Sequence, residues 1–171
     1  MKRILFIALA VICCASVQLS AQKIGYINTE SILSRLPEYH VAQEKLNVIN
    51  NQYKEKVESE FKVVEQMYNR YMSAKSGMTE AQRSQQENAI IDKEKRAKEL
   101  RNAYFGQDGY FQKKSEELLL PIKDKVQQAI DKIAKDENFM IIFDVAIMQG
   151  VVYDNPQYDL SAMVLELLNV R

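Results

Sequence analysis

For about a hundred residues, from Glu38 to Asp136, the chain is written in helix formers, and only Gly77, Gly106, Gly109 and Pro121 interrupt them. Glycine and proline are the residues that most strongly end or bend a helix, so so few breaks leave room only for a few long helices. Apolar residues recur at Ala42, Leu46, Ile49, Tyr53, Val57, Phe61, Val64, Tyr68 and Tyr71, always three or four positions apart. That spacing is the seam of a long amphipathic or coiled-coil helix. Ser76-Gly77-Met78 breaks the seam, and Thr79 with Gln82 forms a capping box for a second helix. This helix carries Ile90, Ala97, Leu100 and Tyr104, and beyond the glycines Phe111, Leu118, Ile122, Val126, Ala129 and Ile133. Two long helices joined by so short a turn pack antiparallel. Positions 38–75 would span roughly 57 Å at the helical rise per residue, which makes an arm and not a globular core. The return leg, 80–136, is the longer one. It must bend or loop either at 105–109 or near Pro121, and the sequence admits both.

Segments of a different character flank the arm. Lys23-Ile24-Gly25-Tyr26-Ile27-Asn28 reads as a strand, and Thr29-Glu30 offers a cap for the short helix that follows it. Pro37 suits the first position of the next helix. After the arm, Phe139-Met140-Ile141-Ile142-Phe143 is an apolar run of strand length, and Val151-Val152-Tyr153 is another, with Met148-Gln149-Gly150 as the hairpin turn between them. Asp159 can cap a last helix in which Leu160, Met163, Val164, Leu167 and Leu168 share one face.

The expected fold class is therefore α+β. A small β body, with strands near 23–28, 139–144 and 150–154, is made from residues 22–37 and 138–171, and a helical hairpin arm, 38–137, is inserted between its two parts. A body of 50 residues lies near the lower limit for a self-supporting core. Its strands are also apolar on both faces, so the chain is expected to self-associate. Ile24, Tyr26, Ile27, Ile141, Ile142, Phe143, Val151 and Val152 are the candidates for the body core and the subunit contacts.

Residues 1–21 read as a secretory signal peptide. Lys2 and Arg3 precede the apolar run from Ile4 to Cys14, and Leu19-Ser20-Ala21 supplies a small residue for cleavage after Ala21. The run is too short to span a membrane. Ile12 and Cys13 do not match a lipid-attachment site before Cys14. Both cysteines leave with the leader, so the exported chain has no disulfide or thiol chemistry.

Charge and motif content exclude several functions. The whole chain balances 23 basic against 23 acidic side chains. Without the leader the balance is slightly acidic, with weakly basic arms and an acidic C-terminal part. A generic polyanion binder needs a surplus of Lys and Arg, so nucleic acid is not an expected partner. Lys93, Lys95, Arg96, Lys98 and Arg101 form the one dense basic stretch, but Asp92, Glu94 and Glu99 interleave it. It reads as a solvated helix face with ion pairs four residues apart. The mature chain has no cysteine, nucleophile elbow or Gly-rich phosphate loop, and its one histidine, His40, has no second ligand type nearby. No enzymatic activity, cofactor or metal is expected.

In the order and spacing of its parts, the mature chain resembles the Skp/OmpH family of periplasmic chaperones. The resemblance is carried by Lys23-Ile24-Gly25-Tyr26-Ile27-Asn28-Thr29-Glu30 after a signal peptide, the Leu36-Pro37-Glu38-Tyr39 junction, the long hairpin, the Phe139–Phe143 run followed by Asp144, and the tail Tyr153-Asp154 … Asp159-Leu160-Ser161. It implies a homotrimer in which a β body holds three helical tentacles around a cavity. It further implies an ATP-independent, periplasmic holdase that shelters unfolded outer membrane β-barrel proteins. Tyr68, Tyr71, Met72 and Met78, near the arm tip, are then the candidate client contacts, since Tyr and Met suit a client of no fixed shape. The competing role for those at three- and four-residue steps is the seam between the helices. The chain departs from the family's strongly basic character, so lipopolysaccharide is not expected as a specific ligand. A structural coiled-coil protein of the envelope, or an adaptor for one folded partner, are the alternatives.

Overall fold

A computed structural model of the chain describes residues 23–170. The leader and its cleavage site lie outside the described residues. Strand β1 (Lys23–Ile27) leads into helix α1 (Thr29–Leu33), then α2 (Pro37–Ala74), a 3-10 turn (Lys75–Gly77), α3 (Glu80–Phe105), α4 (Tyr110–Asp136), strand β2 (Phe139–Asp144), a second 3-10 turn (Pro156–Tyr158) and α5 (Ser161–Leu167). The protein is mostly helical, with a sheet of two strands.

The two strands are parallel, pairing Ile24 with Ile141, Gly25 with Ile142, Tyr26 with Phe143 and Ile27 with Asp144. A parallel pair needs a long crossover, and here the crossover is the whole helical arm. One face of the sheet packs on α4 and α5. Ile27 is buried there, with Ile32 and Leu36 below it, Val126, Ile130 and Ile133 from α4, and Val164 from α5. Gly25 is packed closely here: a Cβ on it would lie 2.7 Å from Leu160 Cδ1 and 2.9 Å from Phe139 Cε1, so both side chains would have to shift to admit one.

Side chains tie the two parts of the body together across more than a hundred residues of sequence. Asn28, and not the expected Thr29, caps α1, its Oδ1 accepting from Ser31 N at 2.8 Å. Thr29 is thereby freed to donate from N (3.1 Å) and Oγ1 (2.6 Å) to the carboxylate of Asp144 at the end of β2. Asn28 N donates to Ser161 Oγ at 2.9 Å. Asp159 Oδ1 accepts from Ser161 N at 2.8 Å, but the N-cap of α5 is Leu160 and not the expected Asp159, and no side chain caps that helix.

Two expectations for the body are corrected. The third strand near 150–154 does not form, and residues 151–155 have no regular structure. Both edges of β1 are engaged, one by β2 and the other by a bridge at Asp159 and a bond from Leu160 N to Tyr26 O at 2.8 Å. The outer edge of β2 takes no hairpin partner, because the chain leaves it in a turn at 145–147 that is closed by Ala146 N donating to Asp144 Oδ1 at 3.1 Å. The segment turns at Gly150 (φ +86°) and crosses the open sheet face instead. In α5 the buried face is Leu160, Val164 and Leu165, while Met163 and Leu167 are exposed. The buried face differs from the expected one because α4 and α1 are the elements that pack on this short helix.

The arm forms as a hairpin. Pro37 opens α2 at its first turn, and the capping box at Thr79 and Gln82 is present, with Thr79 N donating to Gln82 Oε1 at 2.9 Å. The return leg breaks at 106–109, and Pro121 lies within α4 without ending it. Gly106 and Gly109 have ordinary negative φ values, so conformational freedom is not why they are glycines. A Cβ on Gly106 would lie 2.5 Å from Asn102 O, and one on Gly109 would lie 2.8 Å from Tyr104 O. The elbow is a close-packed turn.

Candidate functional site

The sheet has one covered face and one bare one, and the eight body candidates divide between them. Ile27 is buried in the core and Ile142 packs against it. Ile24, Ile141, Phe143, Val151 and Val152 are exposed, and Tyr26 is half-buried. Ile24, Tyr26, Phe143 and Val151 join Met148 and Tyr153 around an open cavity of about 450 Å³. Val152 is 97% exposed, an extreme value for an aliphatic side chain. Desolvation, and then the carboxylates of Asp154 and Asp159, raise the pKa of the Tyr26 hydroxyl above its ordinary value. A contiguous apolar patch with a polar rim is the physical mark of a surface meant to be covered.

The arm tip places its four candidates differently. Tyr68 and Met72 are each 51% exposed, and Met78 is half-buried. Tyr71 is 4% exposed, and its hydroxyl donates to the carboxylate of Glu87 across the hairpin. The Lys75 ammonium sits over its ring, 5.2 Å from the centroid. Tyr71 therefore packs in the seam, and Tyr68 and Met72 hold the free surface. In the basic stretch, Lys98 pairs with Glu94 four residues earlier, as expected of a solvated face, whereas Lys93 crosses to Glu60 on α2 and pins the two helices in register.

The most concentrated group of aromatic side chains is one that the seam pattern had dispersed. At the elbow, Tyr53 of α2 stacks on Tyr104 of α3 with centroids 4.3 Å apart and planes 17° apart. Phe105 meets Tyr53 edge-on at 6.3 Å and Phe111 at 6.1 Å, and Tyr110 lies 5.8 Å from Tyr104. The signal was available in the sequence: aromatic pairs, Tyr104-Phe105 and Tyr110-Phe111, stand on both sides of the glycines. The helical periodicity takes in Tyr104 and Phe111 one on each side of the break, and the tight turn brings both pairs together.

Nothing in this arrangement resembles a catalytic constellation. His40 Nε2 lies 2.7 Å from the Ser34 carbonyl oxygen, a bond that holds the α1–α2 junction. Among the described residues no group of three or more His, Cys, Asp or Glu side chains is placed to hold a metal ion. Among them also, no helix is long and apolar enough to cross a membrane.

Comparison with known proteins agrees with this architecture. The family model described as outer membrane protein (OmpH-like) matches residues 23–168. A solved structure from Caulobacter crescentus CB15, described as an OmpH-like outer membrane chaperone, superimposes with a TM-score of 0.66 at 11% identity. The match covers 88% of this chain and 85% of that one, so the likeness is one of fold. No match was found among curated proteins.

Proposed function

The chain belongs to the OmpH-like outer membrane protein family, and from that premise we propose that it is an ATP-independent holdase chaperone of the periplasm. It binds unfolded outer membrane β-barrel proteins between its arms and keeps them from aggregating on the way to the outer membrane. The leader-like residues 1–21 take it there. The observation that carries the reading is the arm itself: a 38-residue helix with a broken return leg, projecting from a small body and leaving Tyr68 and Met72 uncovered at its end. A two-helix layer has too little partner surface to bury every apolar side chain, and what is left over is available to another chain. Tyrosine and methionine suit that use, because one has a wettable end and the other repacks around irregular shapes. Many weak contacts around one enclosure add through effective concentration, so no single contact needs to be strong and no nucleotide needs to be spent.

The enclosure requires more than one arm. In this reading the bare sheet face and the segment across it, Phe143 and Val152 above all, are covered by neighbouring copies in a homotrimer, which sets three arms around a cavity. The test is dilution of an unfolded outer membrane β-barrel with and without the protein, followed by light scattering. Suppressed scattering near one trimer per client is expected. Unchanged scattering at excess protein refutes the holdase and favours a structural spacer of the envelope.

A further inference from the structure

We propose that the elbow of the arm is a distinct client subsite, which holds an aromatic side chain flanked by acidic residues. The inference rests on the holdase reading above and names the chemistry that one part of the arm selects. A groove of about 270 Å³ runs between α2 and α3 beside the elbow, lined by Asn50, Lys54, Val57, Glu58, Arg101 and Phe105. Val57 forms its buried apolar floor. Phe105 forms a wall, 38% exposed, so part of its ring faces the groove while Tyr53, Tyr104 and Phe111 hold it from behind at 6.1 to 6.4 Å. Those are distances at which aromatic pairs attract edge-to-face, and an incoming ring would extend the same packing by one member. The wall is pre-positioned, because the glycines let the backbone of the elbow close on itself.

Charge chooses among aromatic segments. Among the described residues, Lys54, Lys56 and Arg101 form no ion pair. Lys54 and Arg101 line the groove, and the Lys56 ammonium lies 5.9 Å from the Tyr104 ring on the same cluster. Of the groove's own lining residues two, Lys54 and Arg101, are cations and one, Glu58, is a carboxylate. In a mature chain that is otherwise slightly acidic, this is a local positive field around an apolar slot, complementary to an aromatic residue between acidic ones. Arg101 also offers a planar donor fork to a carboxylate.

The protein has no tryptophan, so the indole emission of a peptide reports binding without background. The probes are two capped pentapeptides, Gly-Asp-Trp-Asp-Gly and Gly-Lys-Trp-Lys-Gly, titrated with the full mature protein. The acidic peptide is expected to bind at least about fivefold more tightly at low salt, a difference of about 1 kcal/mol that shrinks as salt screens it. The triple variant Lys54→Gln/Lys56→Gln/Arg101→Gln, entirely on the surface, should abolish the preference and leave the residual aromatic binding. Phe105→Ser should weaken both peptides, and Phe105→Leu, which keeps an apolar wall, serves if the serine variant loses helicity. Equal affinities for the two peptides, a preference that survives the triple variant, or no binding at all each overturn the subsite. Aggregation of an unfolded barrel is followed in parallel. Suppression by wild type together with a failed peptide preference leaves the holdase standing and removes the subsite. Peptide preference without suppression does the reverse.

Discussion

The three arm glycines allow one substitution to be tried in three surroundings with opposite expected signs. Gly→Ala removes backbone freedom from the unfolded chain and stabilises by about 0.4–1 kcal/mol wherever the native backbone accepts a Cβ. At Gly77, at the arm tip, nothing lies within 4 Å of the Cβ position. Gly77→Ala should therefore stabilise by about 0.5 kcal/mol. At Gly106 and Gly109 the nearest atoms are backbone carbonyl oxygens at 2.5 and 2.8 Å, which cannot rotate away as a flexible side chain would. Relieving such an overlap moves the elbow backbone and disturbs the aromatic packing behind it, an overpacking cost of about 1–3 kcal/mol. After the entropic gain is deducted, each alanine should destabilise by about 1–2 kcal/mol. The assay is urea unfolding followed by far-ultraviolet circular dichroism, at one fixed protein concentration because assembly contributes to apparent stability. If these glycines serve flexibility instead, alanine at all three positions stabilises, and the steric account of the elbow is refuted.

Three further outcomes follow from the same structure. Asp144→Ala removes the acceptor of Thr29 N, Thr29 Oγ1 and Ala146 N, and should cost about 2–3 kcal/mol in urea unfolding, since bonds to a charged group are the stronger ones; a cost below about 0.5 kcal/mol would show water replacing them fully. Tyr71→Phe removes the hydroxyl's bond to Glu87, a half-exposed carboxylate that keeps Lys75 as a partner, and should destabilise by about 0.5–1 kcal/mol, whereas Tyr68→Phe should match wild type; equal effects would contradict their different burial. Phe143→Asp on the open sheet face and Val152→Asp on the segment that crosses it should leave helicity intact while lowering the sedimentation coefficient at a given concentration. An unchanged coefficient in both would remove that face as the subunit contact.

The helical hairpin, the capping box at Thr79 and Gln82, Pro37 at the head of α2 and the strands near 23–28 and 139–144 all depend on residues within a few positions of one another. The elbow was visible only as a choice between 105–109 and Pro121. Both hold helix-breaking residues, and the decision came from whether a neighbouring helix fills the gap that the break opens. At the glycines Tyr53 of α2 fills it, stacking on Tyr104. Tyr71 illustrates the same limit: its place in the seam and its place near the tip pointed to different surroundings, and its burial against Glu87 depends on the opposite helix.

The sequence by itself determined a long two-helix arm set into a small β body, because periodicity and capping are properties of consecutive residues. Only the tertiary structure decided that the strands are parallel, that Val151-Val152-Tyr153 finds no ladder, and that Tyr104 and Phe105 pack on Tyr53 with Tyr110 and Phe111 packed on them in turn. Each of these depends on which surfaces meet across a hundred residues of chain. A strand-like run becomes a strand only if the chain around it turns back onto a sheet edge, and a row of aromatic residues becomes a cluster only if the backbone turns tightly enough to fold the row onto itself.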